Sequence, residues 1–273
     1  MINEKILKEK KLLNIKKQIL HNFKSKHEYV LGNNSKNTVL LIEPRFRKNN
    51  TLLLLANTYN KLGDNWNYVF YCGKSFKNNW KKLLPNFIEI RALQNDNFEN
   101  TRLYSDFCKK KELWNSLYGD FVLTIQLDTW IMNIKPYDIS YFIKLNKSFI
   151  GGNMSYKWAY FNKVGINHNH RNFNGGLSLR KRKDMISIIE KYPPLKTIDK
   201  RNTFLDEHED VYFTNGCILL NLPIGDDDKS SHFALHTIYH DKYFGIHRPY
   251  EKVKNNINRI HPNLKYLNVN LRL

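Results

Sequence analysis

Phe121-Val122-Leu123-Thr124-Ile125-Gln126-Leu127-Asp128 is the most apolar strand signal in the chain, and it ends on a carboxylate. A near-continuous run of Val, Leu and Ile suits a strand covered on both faces, as in a parallel sheet layered by helices. In open parallel sheets ligands bind beyond the carboxyl ends of the strands, so the run puts Asp128 where chemistry is expected. Working upstream, Thr38-Val39-Leu40-Leu41-Ile42 reads as the first strand, followed by the polar Glu43-Pro44-Arg45. A helix over 52–62 is closed by Gly63-Asp64, and Tyr68-Val69-Phe70-Tyr71-Cys72-Gly73 is again strand-like. Helical sequence around 80–84, a short strand over 87–90 and a helix over 110–117 lead back to the opening run. This βαβαβ alternation predicts an α/β fold with a parallel sheet and helical crossovers.

The chain has 273 residues, enough for one large α/β domain. Its 41% hydrophobic and 14% aromatic content supports a packed interior and argues against a disordered chain. The first 30 residues read as a Lys-rich amphipathic helix. Leu12, Ile15, Ile19 and Phe23 form its apolar stripe, and Lys10, Lys16, Lys17 and Lys24 decorate the rest. Packing on its own domain is the expected fate of that stripe, with a partner or an acidic lipid surface as the alternatives. The expected division is an extension over 1–36, a main domain over 37–250 with halves of about 37–130 and 131–250, and a tail over 251–273.

A net charge of +19 suggests an anionic partner, whether nucleic acid, a membrane surface or a phosphorylated small molecule. Abundant Lys, Asn and Ile are also what an AT-rich genome produces, so the charge does not choose among them. Cys72, Cys108 and Cys217 are odd in number and lack CxxC spacing, which argues against a disulfide framework or a Cys-rich zinc site. Reduced thiols in a cytosol-like compartment are expected. No apolar run approaches the ~18–20 residues of a membrane span, and no signal-peptide segment opens the chain.

Four segments carry candidate chemistry. A carboxylate at a strand end, as in Gln126-Leu127-Asp128-Thr129, can ligate Mg²⁺ or Mn²⁺, although Asp is also a common turn-former. In Asn172-Phe173-Asn174-Gly175-Gly176-Leu177-Ser178-Leu179-Arg180 the paired glycines allow close backbone approach to a ligand, or form an ordinary turn. Asp206-Glu207-His208-Glu209-Asp210 abuts Val211-Tyr212-Phe213 and could include a general base. In Phe244-Gly245-Ile246-His247-Arg248-Pro249, His247 could supply imidazole to a metal and Arg248 could meet phosphate.

In this order, and with Glu43, Arg45 and Ile150-Gly151, the segments resemble DUF5672, a family of uncharacterised glycosyltransferase-like proteins found in bacteria, fungi and large DNA viruses. The resemblance covers about 38–250. It implies a GT-A fold, a Rossmann-like nucleotide-diphospho-sugar transferase with a mostly parallel central sheet flanked by helices. GT-A enzymes usually carry Asp-x-Asp, and here Gln126 replaces the first Asp. The metal ligand therefore carries over onto Asp128 alone, with His247 as its companion, and the implied cofactor is Mn²⁺ or Mg²⁺.

The segments are also similar to β-1,4-galactosyltransferases. By that likeness Gly175 and Gly176 line the donor sugar, and Asp210 or Glu209 is the base, so that transfer inverts the anomeric centre. Glu43, Arg45, Gln126, Thr129, Asn174, Ser178, Arg180 and Arg248 complete the implied donor site. The implied partners are a UDP- or GDP-linked sugar donor and a glycan, protein or lipid acceptor. The implied location is the cytoplasm, or the host cytoplasm or virion for a viral protein. The competing expectations are a basic nucleic-acid or membrane-surface binder and a catalytically degenerate nucleotide-sugar binder.

Overall fold

The computed structural model describes residues 14, 16–21, 23, 33, 36–154, 173–194, 208–261 and 264. A six-stranded sheet in the order β3-β2-β1-β4-β7-β6 forms its centre. Its strands are β1 (Asn37–Ile42), β2 (Trp66–Cys72), β3 (Ile88–Ala92), β4 (Phe121–Ile125), β6 (Phe149–Asn153) and β7 (Phe173–Lys181). The first four run parallel, whereas β7 lies antiparallel to both β4 and β6. The expected α/β class with a mostly parallel, helix-flanked sheet is therefore present. Of the six strands only β7 is reversed, which agrees with the mostly parallel sheet of the GT-A expectation.

The sheet is buried on both sides, and the alternation of side chains shows how. Val39, Leu41, Tyr68, Phe70, Phe121, Leu123, Ile125, Leu177 and Leu179 join one hydrophobic cluster. Their neighbours Leu40, Ile42, Val69 and Val122 join another, as side chains of a strand point alternately to opposite faces. Each layer has its helices: α1 (Lys48–Leu62) supplies Leu52, Leu54 and Leu55 to the first, and α6 (Arg182–Lys191) and α7 (Glu209–Leu219) supply Met185, Ile188 and Phe213 to the second.

Shorter helices are α2 (Lys77–Leu83), α3 (Thr101–Cys108), α4 (Lys111–Asn115), α5 (Ile139–Lys144) and α8 (Asp227–Phe233). A second, three-stranded sheet joins β5 (Thr129–Ile131), β9 (Gly245–His247) and β8 (Ala234–Leu235) in that order. In the expected tail, α9 (Glu251–Ile260) packs Val253 and Ile257 against Trp130, Tyr243 and Ile246 of that sheet region. In the N-terminal segment Phe23 is fully buried and Ile19 packs on the same core, so this part of the helix lies on its own domain. Leu12, Ile15, Lys10 and Lys24 lie outside the described residues.

One expectation is corrected, and one helix is added. The 121–128 strand stops at Ile125, because residues 126–128 bend into a turn closed by the Thr129 amide donating to the Gln126 carbonyl at 3.0 Å. Asp128 thus projects from a turn between two sheets. The helix expected over 110–117 is present as α4, and α3 before it is an additional helix. The N-cap of α3 is Asn100, whose side chain accepts from the Arg102 and Leu103 amides. The apolar residues of α3, Leu103, Tyr104, Phe107 and Cys108, fall at helical spacing after that cap. Among the described residues no helix is long and apolar enough to cross a membrane.

Candidate functional site

The antiparallel pairing of β5 with β9 sets Thr129 opposite His247. It therefore brings Asp128 beside a residue far along the chain. His247 Nε2 lies 3.1 Å from Asp128 Oδ1, and the Arg248 amide donates to the Asp128 carbonyl at 3.3 Å. Both side chains are largely enclosed, at 4% and 15% exposure for His247 and Asp128. Burial pushes the Asp128 carboxyl up, but His247 and Arg248 more than offset this, and it rests below the ordinary carboxylate value. Arg248 is exposed and holds a left-handed φ of 40°, an unfavourable conformation for a residue with a Cβ.

Two cavities meet at this point. One, of about 380 Å³, lies beyond the carboxyl ends of β1 and β4 and is lined by Glu43, Arg45, Phe98, Asn100, Asp128 and neighbouring residues. The other, of about 400 Å³, is lined among others by Asn174, Gly176, Asp210, His236, His247 and Arg248. Thr101, Tyr104 and Gln126 line both and so stand at the partition. Asp128 opens on one cavity and His247 on the other.

The glycines of β7 serve close packing. A Cβ on Gly176 would run into the His247 imidazole and come within 2.7 Å of Gln126 Oε1. A Cβ on Gly175 would overlap the Glu209 carboxylate and approach Arg180 Nη2 at 2.8 Å. The Cβ space at both positions is thus filled by side chains of the chain itself. Asn174 Oδ1 accepts from the Gly176 amide at 2.9 Å, and Thr129 donates its hydroxyl to the Gly176 carbonyl at 3.1 Å.

Of the predicted residues, Gln126, Asn174, Gly176, Glu209, Asp210, His247 and Arg248 meet at one cavity, and Glu43, Arg45, Gln126 and Asp128 meet at the adjoining one. Thr129, Ser178 and Arg180 belong to the walls, being at most 1% exposed. Ser178 donates to the Gly175 carbonyl and accepts from Arg180 Nε, at 3.0 and 2.9 Å. Arg180 also pairs with Glu209 at 2.6 Å. Arg45 forks onto Glu43 at 2.7 and 2.8 Å, while its side chain stays half exposed beside the first cavity.

The two acidic residues at the start of α7 differ. Burial pushes the Glu209 carboxyl up to about 7, against the pull of Arg180 beside it. Asp210 is half-buried, faces the cleft, and accepts from the Gly175 amide at 3.2 Å and the Val211 amide at 2.9 Å. A carboxylate can take further bonds beyond these two.

Sequence reasoning missed Tyr104, Thr101 and His236. His236 is 4% exposed, lines the second cavity, bonds through Nδ1 to the His247 carbonyl at 2.9 Å and lies parallel to the His247 ring. Burial, then His247, push its imidazole down to about 4, so it is neutral at physiological pH. An Asn before Thr101 was the available signal for α3, but nothing in the sequence pointed to His236.

A family model described as a protein of unknown function, DUF5672, matches residues 87–247. The chain belongs to the DUF5672 family. The match contains Gln126, Asp128, both glycines, Glu209, Asp210 and His247, and leaves Glu43 and Arg45 outside it. Among solved structures, this DUF5672 chain is similar to the galactosyltransferase LgtC in complex with donor and acceptor sugar analogs. That likeness has 10% identity and a TM-score of 0.48, over 77% of this chain and 86% of the other. It is also similar to the mannosyltransferase Ktr4p from S. cerevisiae in complex with GDP, at 12% identity and a TM-score of 0.41, over 81% and 77% of the two chains. No curated protein matches the chain by sequence.

The residues at the cavity junction were tested for their fit to a divalent cation. Among the described residues no group of three His, Cys, Asp or Glu is arranged to hold one. Asp128 and His247 supply two donors of types that bind Mn²⁺, and their side chains converge. Two protein groups suffice where substrate phosphates and water complete the shell, as they do for Mg²⁺. The pair therefore fits a cation shared with a phosphorylated ligand, and does not fit a closed structural site.

Proposed function

We propose that this protein transfers a sugar from a UDP- or GDP-linked donor to a hydroxyl acceptor. The observation that carries the reading is the junction of the two cavities, with Asp128 on one side, His247 on the other and Asp210 across the second. A nucleoside diphosphate-sugar is a ligand with two bulky ends and a charged middle, and that shape matches paired cavities with a cation site between them. A divalent cation held by Asp128 and His247 would neutralise the diphosphate and stabilise it as a leaving group.

In this reading the nucleoside lies beside Glu43, Arg45, Phe98 and Asn100, and the sugar extends past Gln126 toward Asn174 and Gly176. The exposed Arg248 adds positive charge near the diphosphate, and Gln126 offers a neutral amide at the partition. Asp210 acts as the base that takes the acceptor proton, because Glu209 is committed to Arg180. With one carboxylate left to act, a single displacement follows, and it inverts the anomeric centre. Thr129, Ser178 and Arg180 hold the walls that orient these groups.

Calorimetry with UDP and GDP, with and without Mn²⁺, tests the reading. Micromolar binding of one nucleotide that depends on the metal is expected. Salt-sensitive binding of any polyanion, with no nucleotide preference and no metal effect, would instead support the basic-surface alternative. Incubation with UDP- and GDP-sugars then separates a turning-over enzyme from a degenerate binder.

A further inference from the structure

We infer that Arg180 and Glu209 form a positioning pair that fixes Asp210, which deepens and rests on the reading of Asp210 as the base. Arg180 comes from β7, an interior strand between β4 and β6, and is 1% exposed. A charge buried there requires a partner, and Glu209, at 2.6 Å, supplies it. The guanidinium is held flat by its surroundings, 4.7 Å from the Phe149 ring centre and 5.4 Å from that of Phe213. Its Nε donates to Ser178 Oγ at 2.9 Å and its Nη2 to the Gly175 carbonyl at 3.3 Å.

This arrangement links β7 to the first turn of α7. Glu209 is the first residue of that helix and Asp210 the second. Fixing Glu209 leaves Asp210 little freedom, because the two share a backbone turn. The lack of a Cβ at Gly175 lets the Glu209 carboxylate reach the strand, and the amide of the same Gly175 donates to Asp210 Oδ2 at 3.2 Å. Arg180 thus holds Gly175 through its carbonyl and Asp210 through Glu209. Neither member of the pair needs to touch substrate to set where the Asp210 carboxylate points.

The test reads that geometry directly, by amide hydrogen exchange in the full chain. R180M/E209L replaces the pair with apolar groups, a change that buried ion pairs commonly tolerate. Exchange at the Gly175 amide should accelerate at least about tenfold, while Leu40 and Leu123 in β1 and β4 keep their protection. E209Q preserves volume and serves if the double variant does not fold; a rise of at least about threefold is expected there. Unchanged Gly175 exchange in a folded variant overturns the inference, with no substrate required.

The second measurement uses UDP-galactose, UDP-glucose or GDP-mannose, whichever the wild type consumes. In R180M/E209L kcat should fall about a hundredfold with KM nearly unchanged, since a misplaced catalytic group costs rate more than binding. Asp210→Asn in that background should then lower kcat little further, and fully additive losses overturn the proposal. Failure of the underlying reading has a separate signature: the wild type binds neither UDP nor GDP in a Mn²⁺-dependent way.

Discussion

Gly176→Ala adds one methyl group at the most crowded point of the site. Its Cβ would lie 2.7 Å from Gln126 Oε1 and closer still to the His247 ring. The ring would have to retreat by roughly 1 Å or more to reach ordinary contact distance. It can give way only into the second cavity, because the His236 ring lies parallel to it, and that movement would change the site. Its backbone is also held in the β5-β9-β8 sheet. Overpacking of this kind costs about 1–3 kcal/mol, which lowers Tm by a few degrees in a chain of this length. The larger effect falls on the ligand, because displaced metal-site geometry typically costs 10–100-fold in affinity, so Mn²⁺-dependent UDP or GDP binding should weaken by about that factor. Titration calorimetry beside a thermal melt measures both. A variant that keeps the wild-type nucleotide affinity would refute the reasoning, since His247 would then have no part in holding the ligand.

Asp128→Asn should abolish the metal dependence of nucleotide binding; a preserved Mn²⁺ effect in calorimetry would remove Asp128 as a ligand. Mn²⁺ alone should bind weakly, and UDP or GDP should raise its affinity by the same factor by which Mn²⁺ raises theirs. Tight binding of Mn²⁺ to the free protein would argue instead for a self-sufficient metal site. Arg180→Met alone strands the Glu209 charge and should cost about 3–5 kcal/mol in urea unfolding, whereas R180M/E209L should cost clearly less. Burial raises all three thiols, Cys72 to about 11 and Cys108 and Cys217 further. An Ellman titration at pH 8 should therefore find no fast-reacting cysteine in the native protein and three after denaturation.

The central strands were legible because a doubly covered sheet demands continuous apolar sequence, as 38–42 and 121–125 both show. Their order along the chain also made the parallel half readable. The reversed strand β7 was harder, for its glycines resemble a turn and its Ser178 and Arg180 resemble an exposed face. Both signals come from local composition, and both were overridden by distant residues. Glu209 lets Arg180 be buried, and His247 fills the space above Gly176. A charged side chain following Leu177-Ser178-Leu179 in a strand could have prompted a search for its counter-ion, but the sequence did not say that β7 lies inside the sheet rather than at its edge. Tyr104 and Thr101 escaped for a related reason: their helix has an ordinary apolar spacing, and only the fold places it beside the site.

The replacement of the first Asp of the usual pair by Gln126 changes meaning once the cavities are considered. Gln126 lines both, and stands within reach of the same Gly176 position that His247 covers. A carboxylate there would put a second negative charge on the path that a diphosphate must cross, and Arg248 and the metal would have to offset both. An amide keeps the hydrogen-bonding capacity without that repulsion. One carboxylate and one imidazole leave a bound divalent cation with more of its positive charge directed at the ligand. In the proposed function, the substitution therefore shifts affinity from the free metal toward the metal–nucleotide complex, and Gln126 belongs to the working site rather than marking its decay.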